Sequence, residues 1–139
     1  MLKFLNMSSK KQVKKVQVII MAKGEILRLK LSEERGGFWQ NITGHVDPGE
    51  DFVTAAKREL FEEVGFRAEV EELPFVYQFE NRFGDEAFEK VFLCQLNQKS
   101  DPKLSDEHQS FEWKNIQEIA PEDFKYQSNF EPINWIKNR

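Results

Sequence analysis

GHVDPGEDFVTAAKRELFEEVGF, residues 44–66, is the segment of this 139-residue chain from which its architecture can be worked out. Between residues 51 and 64, apolar side chains recur at spacings of three and four, which predicts a helix with one buried stripe, formed by Val53, Ala56, Leu60 and Val64. Gly65 follows the stripe and is expected to end the helix. Asp47-Pro48-Gly49 is a turn sequence, so a tight loop is expected to lead into the helix.

The predicted helix carries three glutamates near its C-terminal end. Glu59 and Glu63 lie one turn apart, and Glu62 lies on the neighbouring line of the same surface. Like charges at this spacing destabilise a helix by about 0.2–0.5 kcal/mol per pair, so we expect a cation among them. Mg²⁺ fits, with Mn²⁺ as a substitute, because both ions favour carboxylate oxygens. The alternative is a solvated helix in which Lys57 and Arg58 form surface ion pairs.

The spacing of residues in this segment resembles the Nudix box at every defined position. Gly44 is followed after five residues by Glu50, after seven more by Arg58-Glu59-Leu60, and then by Glu62-Glu63, Gly65 and an apolar Phe66. The resemblance implies an α+β fold of the Nudix type, an α/β/α sandwich with a mixed sheet. It also implies metal-dependent hydrolysis of a phosphoanhydride bond.

The resemblance also implies roles for individual residues. Glu59 and Glu63 would be the primary metal ligands, Glu62 a further ligand or water holder, and Gly44 the source of a backbone carbonyl close to the metal. One of the nearby glutamates would deprotonate the attacking water, and the sequence does not say which.

Two further residues of the box are expected to support these ligands. Glu50 would organise the loop and the outer shell of the metal. Arg58 would hold a glutamate in place rather than contact the transferring phosphate. His45 borders the box either as a neighbour of a ligand or as a surface histidine.

Segments on either side of the box extend the resemblance. Residues 38–44, FWQNITG, resemble the Trp-Gln-x-x-Thr-Gly segment of the bacterial branch that cleaves dihydroneopterin triphosphate and deoxynucleoside triphosphates. Residues 104–108, LSDEH, followed by Phe111-Glu112-Trp113, resemble the Glu-His and aromatic-x-Trp segment of that branch. This implies that Glu107 is a distant metal ligand or base; the alternative is an exposed acid in a polar run. Diadenosine tetraphosphate hydrolases carry the same pattern, so the substrate stays open.

Five residues are candidates for substrate binding. Trp39 would stack on a base or pterin, or else belong to the core, and Gln40 is a weaker candidate for ring contacts. Lys14, Lys15 and Arg35 are the candidate cations for phosphate, although lysines flanking a strand often serve solubility instead.

The rest of the chain is expected to complete one domain, residues 1–139, with residues 1–10 as a frayed N-terminal extension. Strands are predicted at 16–21, 26–31, 67–73, 75–83 and 87–96, with a turn at Gly24 and a hairpin turn at Gly84-Asp85. Residues 32–37 are expected to form a mobile loop, and residues 130–136 a short amphipathic helix.

Composition excludes several classes of protein. The net charge is −4 and the pI near 5.3, which argues against a protein that coats DNA or RNA. Cys94, the only cysteine, is expected to be buried in a strand and cannot form an intrachain disulfide. Without a signal peptide or an apolar run of about 18 residues, we expect no membrane association and a cytoplasmic location. The sequence leaves a homodimer open.

These observations lead to one functional hypothesis and its alternatives. The hypothesis is Mg²⁺-dependent hydrolysis of a nucleoside or dihydroneopterin triphosphate to monophosphate and pyrophosphate. The enzymatic alternatives are diadenosine tetraphosphate hydrolysis and removal of pyrophosphate from RNA 5′ ends. The non-enzymatic alternative is a regulatory domain that binds a nucleotide, against which the intact Glu59, Glu62 and Glu63 argue.

Overall fold

The computed structural model describes residues 11–139, so the expected N-terminal extension at residues 1–10 lies outside the described residues. Residues 11–139 form seven strands, two helices and three short 3₁₀ turns. The strands are β1 (Gln12–Ala22), β2 (Glu25–Leu31), β3 (Trp39–Gln40), β4 (Ile42–His45), β5 (Glu71–Glu80), β6 (Glu86–Leu96) and β7 (His108–Asn115). The helices are α1 (Phe52–Val64) and α2 (Gln127–Asn138), and the 3₁₀ turns are Glu33–Arg35, Ile116–Glu118 and Pro121–Asp123.

All seven strands belong to one mixed sheet. Its main path is β3-β2-β1-β6-β5, with β4 paired to β1 and β7 paired to β2. The β1–β6 pair is parallel, from Gln12↔Glu86 to Ala22↔Leu96, and the remaining pairs are antiparallel. Strand β1 lies at the centre of the sheet. It pairs with β4 and contributes side chains to both faces of the sheet.

Side-chain alternation along β1 divides the core into two layers. Val16, Val18 and Ile20 face α1 and pack with Ala56 and Leu60 of that helix. On the other face, Ile19 packs in a second cluster with Ile133 and Ile136 of α2. Burying a side chain such as Leu60, which is fully inaccessible, contributes about 1.5–3 kcal/mol. The predicted α/β/α sandwich with a mixed sheet is confirmed.

Both ends of α1 are capped, and the stop at Gly65 is the one expected from the sequence. Asp51 caps the first turn, where its side chain accepts a hydrogen bond from the Thr54 N–H at 2.7 Å. Gly65 adopts the left-handed conformation (φ 79°) and its N–H bonds to the Phe61 carbonyl at 2.9 Å. The apolar side chains of α1 that pack on the sheet set the rotation of the helix, and Glu59 and Glu63 are buried with them.

The sequence predictions fail at three places. Residues 67–70 form no strand, and the strands predicted at 67–73 and 75–83 are replaced by the single strand β5. The register of β5 shifts between Glu72 and Val76, around Pro74, which has no N–H to donate and is tolerated because β5 is an edge strand. Strands β3, β4 and β7 were not predicted, and α2 begins three residues before the predicted helix and ends two residues after it.

Two smaller expectations concern burial and membrane spans. Cys94 is fully buried in β6, and this burial raises the pKa of its thiol to about 11. Within residues 11–139, no helix has the length and apolar character needed to cross a bilayer.

Candidate active site

The first feature of the site is the close approach of Gly44, in β4, to Glu59, in α1. A Cβ atom at position 44 would overlap the carboxyl carbon of Glu59. The backbone of Gly44 is outside the left-handed region, so glycine is required here for space rather than for conformation. Glu59 is 8% exposed, and burial raises the pKa of its carboxyl group against the opposing effect of Arg58.

Arg58 connects the loop after β4 to the glutamates of α1. Its Nε and Nη2 donate to the two carboxylate oxygens of Glu50 at 2.9 and 3.0 Å, and Nη2 also donates to the His45 carbonyl at 2.8 Å. Its Nη1 donates to Glu59 Oε2 at 2.9 Å and to Glu62 Oε1 at 3.0 Å. These contacts raise the pKa of the guanidinium, which stays charged. The geometry matches the holding role expected for Arg58.

Glu50 closes the turn that precedes α1. Its Oε1 accepts the Asp47 N–H at 2.9 Å, in addition to its paired contact with Arg58. The hydrogen bonds from Arg58, and then that from Asp47, lower the pKa of Glu50 to about 2. The loop and helix are therefore joined by a carboxylate that is ionised at any physiological pH.

Glu63 is the most buried glutamate of α1, at 3% exposure. Ser105 Oγ donates to Glu63 Oε1 at 2.5 Å, and His108 Nδ1 lies 3.3 Å from the same oxygen without hydrogen-bond geometry. Burial acts to raise the pKa of Glu63, but interactions with His108, Glu107 and Ser105 outweigh it and lower that pKa to about 2. Glu63 is therefore held as a carboxylate.

Glu107, in the loop before β7, lies beside Glu63. Its backbone N–H donates to Ser105 Oγ at 3.2 Å, and its Oε1 lies 3.2 Å from Arg35 Nη1. Burial, and then the neighbouring Glu63, raise the pKa of Glu107 to about 7. The structure thus brings Glu107 to the glutamates of the box, as the resemblance implied; its role stays a prediction.

Glu62 differs from the other two glutamates of α1. Its side chain is 51% exposed, compared with 10% for Glu59 and 4% for Glu63. Glu59 and Glu63 are therefore buried together, while the more exposed Glu62 is linked to Glu59 through the shared Arg58.

The donor set fits a hard divalent cation. Four carboxylates and the backbone at Gly44 offer only oxygen ligands, and Mg²⁺ in proteins commonly uses one or two carboxylates with several waters. Among residues 11–139, no three His, Cys, Asp or Glu side chains converge on one point. Arg58, Ser105 and Arg35 each contact at least one of these carboxylates.

Trp39 and Gln40, the two candidates for contacts with a ring of the substrate, both lie in strand β3. Trp39 packs against the second core cluster under the Arg28 guanidinium, 4.1 Å from the ring centroid, which supports the core interpretation. Gln40 pairs with Leu29 in the β2–β3 ladder. These contacts belong to the packing and pairing of the strands, and they account for the positions of both residues without a ligand.

The three candidate cations for phosphate, Lys14, Lys15 and Arg35, have different neighbours. Lys14 and Lys15 lie over the rings of Phe52 and Phe79, at 6.0 and 5.8 Å. Lys15 also pairs with His45 in the β1–β4 register, next to Gly44. Of these three residues, Arg35 is the one that forms an ion pair with a glutamate of the site, Glu107.

Sequence reasoning missed Ser105, which is central to the site's geometry. Its N–H also bonds to the Glu63 carbonyl at 3.1 Å, so it binds both the main chain and the side chain of Glu63. A serine in the polar run 100–110 carries no distinguishing pattern. Its position within the LSDEH segment was the one available signal.

A buried polar network on the α2 face of the sheet was also missed. Gln17 Nε2 donates to Glu89 at 2.9 Å, Asn41 Nδ2 donates to Gln17 at 2.8 Å, and the Asn41 N–H donates to Asn129 Oδ1 at 2.6 Å. Burial raises the pKa of Glu89. Asn41 Oδ1 has no hydrogen-bond partner among the described residues. Polar residues in strands that otherwise read as core were the available signal.

Comparison with known families gives one match that spans nearly all of the described chain. The model of the NUDIX domain family matches residues 11–136. This range includes all seven strands, from Gln12 to Asn115, the whole of α1 and most of α2.

Comparison with curated proteins gives relatives of different kinds. The chain is 34% identical over 96 residues to an octanoyltransferase of Myxococcus xanthus, covering 66% of this chain and 26% of that protein. It is 36% identical over 83 residues to the asymmetrical bis(5′-nucleosyl)-tetraphosphatase of Caenorhabditis elegans, covering 58% of this chain and 60% of that protein. It is 28% identical over 117 residues to the nucleoside triphosphatase NudI of Escherichia coli, covering 76% and 79%. The chain thus spans about a quarter of the length of the octanoyltransferase and 60% of the length of the tetraphosphatase.

Two solved structures resemble the fold closely. A C. elegans Ap4A hydrolase in a binary complex superposes with a TM-score of 0.76 at 28% identity, covering 91% of this chain and 96% of that chain. The E. coli dihydroneopterin triphosphate pyrophosphohydrolase superposes with a TM-score of 0.79 at 24% identity, with the same coverage. At that identity the second match supports the fold alone.

Proposed function

Since the chain belongs to the NUDIX family, we propose that it is a Mg²⁺-dependent pyrophosphohydrolase that cleaves a nucleoside or dihydroneopterin triphosphate to monophosphate and pyrophosphate. Nudix hydrolases generally use divalent metal ions. The observation that carries the proposal is the meeting of Glu107 with the buried Glu59 and Glu63 of α1 beside Gly44. Buried or half-buried acids gathered together are costly unless a cation compensates them.

Glu59, Glu62, Glu63, Glu107 and the Gly44 carbonyl are the groups that would hold the ion. When bound, the ion would neutralise phosphate oxygens and lower the pKa of a coordinated water. One of these glutamates would accept the proton of that water, and Glu107 is a candidate because it lies beside Glu63 in the loop before β7.

The surrounding residues would keep these groups in position. Ser105 would fix the orientation of Glu63, and Arg58 would fix that of Glu59 through a guanidinium already anchored on Glu50. Metal ligands that are already oriented do not have to reorganise during the reaction. Residues that orient them can therefore affect the rate although they do not touch the substrate.

A second candidate substrate is a dinucleoside tetraphosphate. It is favoured by the 36% identity to the C. elegans tetraphosphatase and by the 28% identity to the superposed C. elegans hydrolase. The triphosphate is favoured by the longer alignment with the E. coli nucleoside triphosphatase, which covers 76% of this chain. RNA 5′ ends rank lower because of the net charge of −4.

A substrate panel tests the proposal. Purified protein with Mg²⁺ would be incubated with nucleoside triphosphates, dihydroneopterin triphosphate, diadenosine tetraphosphate and a 5′-triphosphorylated RNA, with products separated by anion exchange. We expect monophosphate and pyrophosphate from a triphosphate, and ¹⁸O from labelled water in one product identifies the phosphorus attacked. Preference for the tetraphosphate would select the second candidate. Binding without turnover of any substrate would select the regulatory domain instead.

A further inference from the structure

We propose that Arg35 is an exchangeable counter-ion of the active site: it pairs with Glu107 and passes to a substrate phosphate when a divalent ion takes that carboxylate. This inference rests on the proposed function. In this role Arg35 competes with the divalent ion for Glu107 and then binds the polyphosphate of the substrate.

The contact that carries the inference is solvent-exposed and involves one oxygen. Arg35 Nη1 lies 3.2 Å from Glu107 Oε1, and the side chains of the two residues are 56% and 36% exposed. An exposed ion pair of this kind contributes little to stability, because water and salt screen it. A cation with twice the charge can therefore replace the guanidinium at Glu107.

Arg58 shows what a non-exchangeable arginine looks like in the same site. Its side chain is 26% exposed, and its five hydrogen bonds reach the carboxylates of Glu50, Glu59 and Glu62 and the His45 carbonyl. Displacing Arg58 would break several charged hydrogen bonds at once, whereas displacing Arg35 from Glu107 breaks one ion pair. The two arginines are therefore suited to different tasks.

The turn that carries Arg35 is anchored to residues 107 and 109 through the residues that precede Arg35, so the exchange needs only its side chain to move. The Ser32 N–H bonds to the Glu107 carbonyl at 2.8 Å. Gln109 Nε2 donates to Glu33 Oε1 and to the Leu31 carbonyl, both at 2.9 Å. Arg35 thus starts from a fixed base directly beside Glu107.

Charge determines the direction of the exchange. A divalent ion at Glu107 repels a guanidinium, while a polyphosphate bound at that ion attracts it. Guanidinium remains charged at all relevant pH values and matches phosphate oxygens in a bidentate geometry. The same side chain therefore gains a partner when it loses Glu107.

The test compares Arg35→Ala and Arg35→Lys with wild type by two measurements. Calorimetric titration with Mn²⁺ or Mg²⁺ alone is expected to show about two- to fivefold tighter binding in Arg35→Ala, as for loss of one exposed competing ion pair. Steady-state kinetics at saturating metal are expected to show KM about tenfold higher, as for loss of a charged hydrogen bond to phosphate. Arg35→Lys should recover part of both effects.

Two controls separate the possible outcomes. Arg82→Ala, in the β5–β6 hairpin where Arg82 covers Phe83, should change neither quantity. In a Glu107→Gln background, Arg35→Ala should no longer tighten metal binding. Unchanged or weaker metal binding in Arg35→Ala, or an unchanged KM, would overturn the inference while leaving wild-type turnover intact. Failure of the wild-type protein to bind any divalent ion would instead overturn the proposed function.

Discussion

Ser105 binds Glu63 twice, through a 2.5 Å hydrogen bond from its hydroxyl to the carboxylate and a 3.1 Å bond from its N–H to the main-chain carbonyl. The loop between β6 and β7 is thereby attached to the last turns of α1, with a further bond from the Lys103 N–H to the Val64 carbonyl at 2.9 Å. This attachment places Glu107 beside Glu63 although 44 positions separate them in the sequence.

Replacing Ser105 by alanine should therefore lower both stability and activity. The substitution leaves a buried carboxylate without its hydroxyl donor, which costs about 1–3 kcal/mol. Urea denaturation gives the stability change, and kcat/KM with the preferred substrate gives the activity change. Ser100→Ala, at an exposed position of the same loop, is the matched control and should behave as wild type. Equal effects of the two substitutions would contradict the positioning role.

Glu63→Gln should separate folding from turnover. Glutamine keeps the shape of the side chain and can still accept from Ser105, so the far-ultraviolet circular dichroism spectrum should be unchanged. Mg²⁺-dependent turnover should fall at least about a hundredfold, because a metal ligand is lost. Glu69→Gln, which alters only an exposed pair with Lys57, is the control. Turnover close to wild type would refute the ligand role of Glu63.

Gly44→Ala should destabilise the protein because the new methyl group overlaps Glu59. Over-packing of this kind costs about 1–3 kcal/mol. The double variant Gly44→Ala/Glu59→Ala removes the overlapping carboxyl group, so thermal unfolding should show stability partly restored relative to Gly44→Ala. Activity should stay low in both variants, since Glu59 is a proposed ligand. A double variant no more stable than Gly44→Ala would show that the overlap is not the cause.

The local part of the site could be predicted from sequence, and the long-range part could not. Apolar spacing and the stop at Gly65 predict α1, and helical periodicity places Glu59 and Glu63 one turn apart. Their burial was not predicted, and Val53, expected in the buried stripe, is 43% exposed. The meeting of Glu107 with these residues depends on strand pairing and on the Ser105 attachment, which leave no local pattern. It was anticipated through family resemblance.

The errors in strand prediction have physical causes as well. Strand β5 was divided because Pro74 interrupts its pattern, although an edge strand tolerates a missing N–H. Strand β7 was missed because most of its eight residues are polar and four of them are exposed, so it lacks a regular apolar alternation. Its pairing with β2, from Glu25↔Asn115 to Leu31↔His108, depends on the tertiary fold.

The pair formed by Glu50 and Arg58 should stabilise the protein in a pH-dependent way. The pKa of Glu50 is lowered from 4.5 to about 2, so its contribution is complete above pH 4.5 and is lost as pH falls towards 2. Urea denaturation of wild type and Glu50→Gln should therefore differ at pH 7, by about 1–3 kcal/mol for the charged hydrogen bonds. The difference should shrink between pH 4.5 and pH 2. A difference independent of pH would show that charge is not its origin.

Divalent-ion binding should depend on pH through Glu107. Its pKa is raised above the usual value to about 7, so below pH 7 an ion must displace a proton from this carboxyl group before using it as a ligand. Apparent affinity for Mg²⁺ should rise as pH increases towards 7 and level off above it. Calorimetry in two buffers of different ionisation enthalpy measures the protons released per ion bound, which should exceed zero at pH 6 and approach zero at pH 8.5. Glu107→Gln removes the titrating group, so the pH dependence in this range should disappear even if the affinity is weaker. Because Glu63 and Glu107 interact, the measured midpoint belongs to the pair, and its loss in Glu107→Gln identifies which member holds the proton. A midpoint retained in that variant would place the proton on another group.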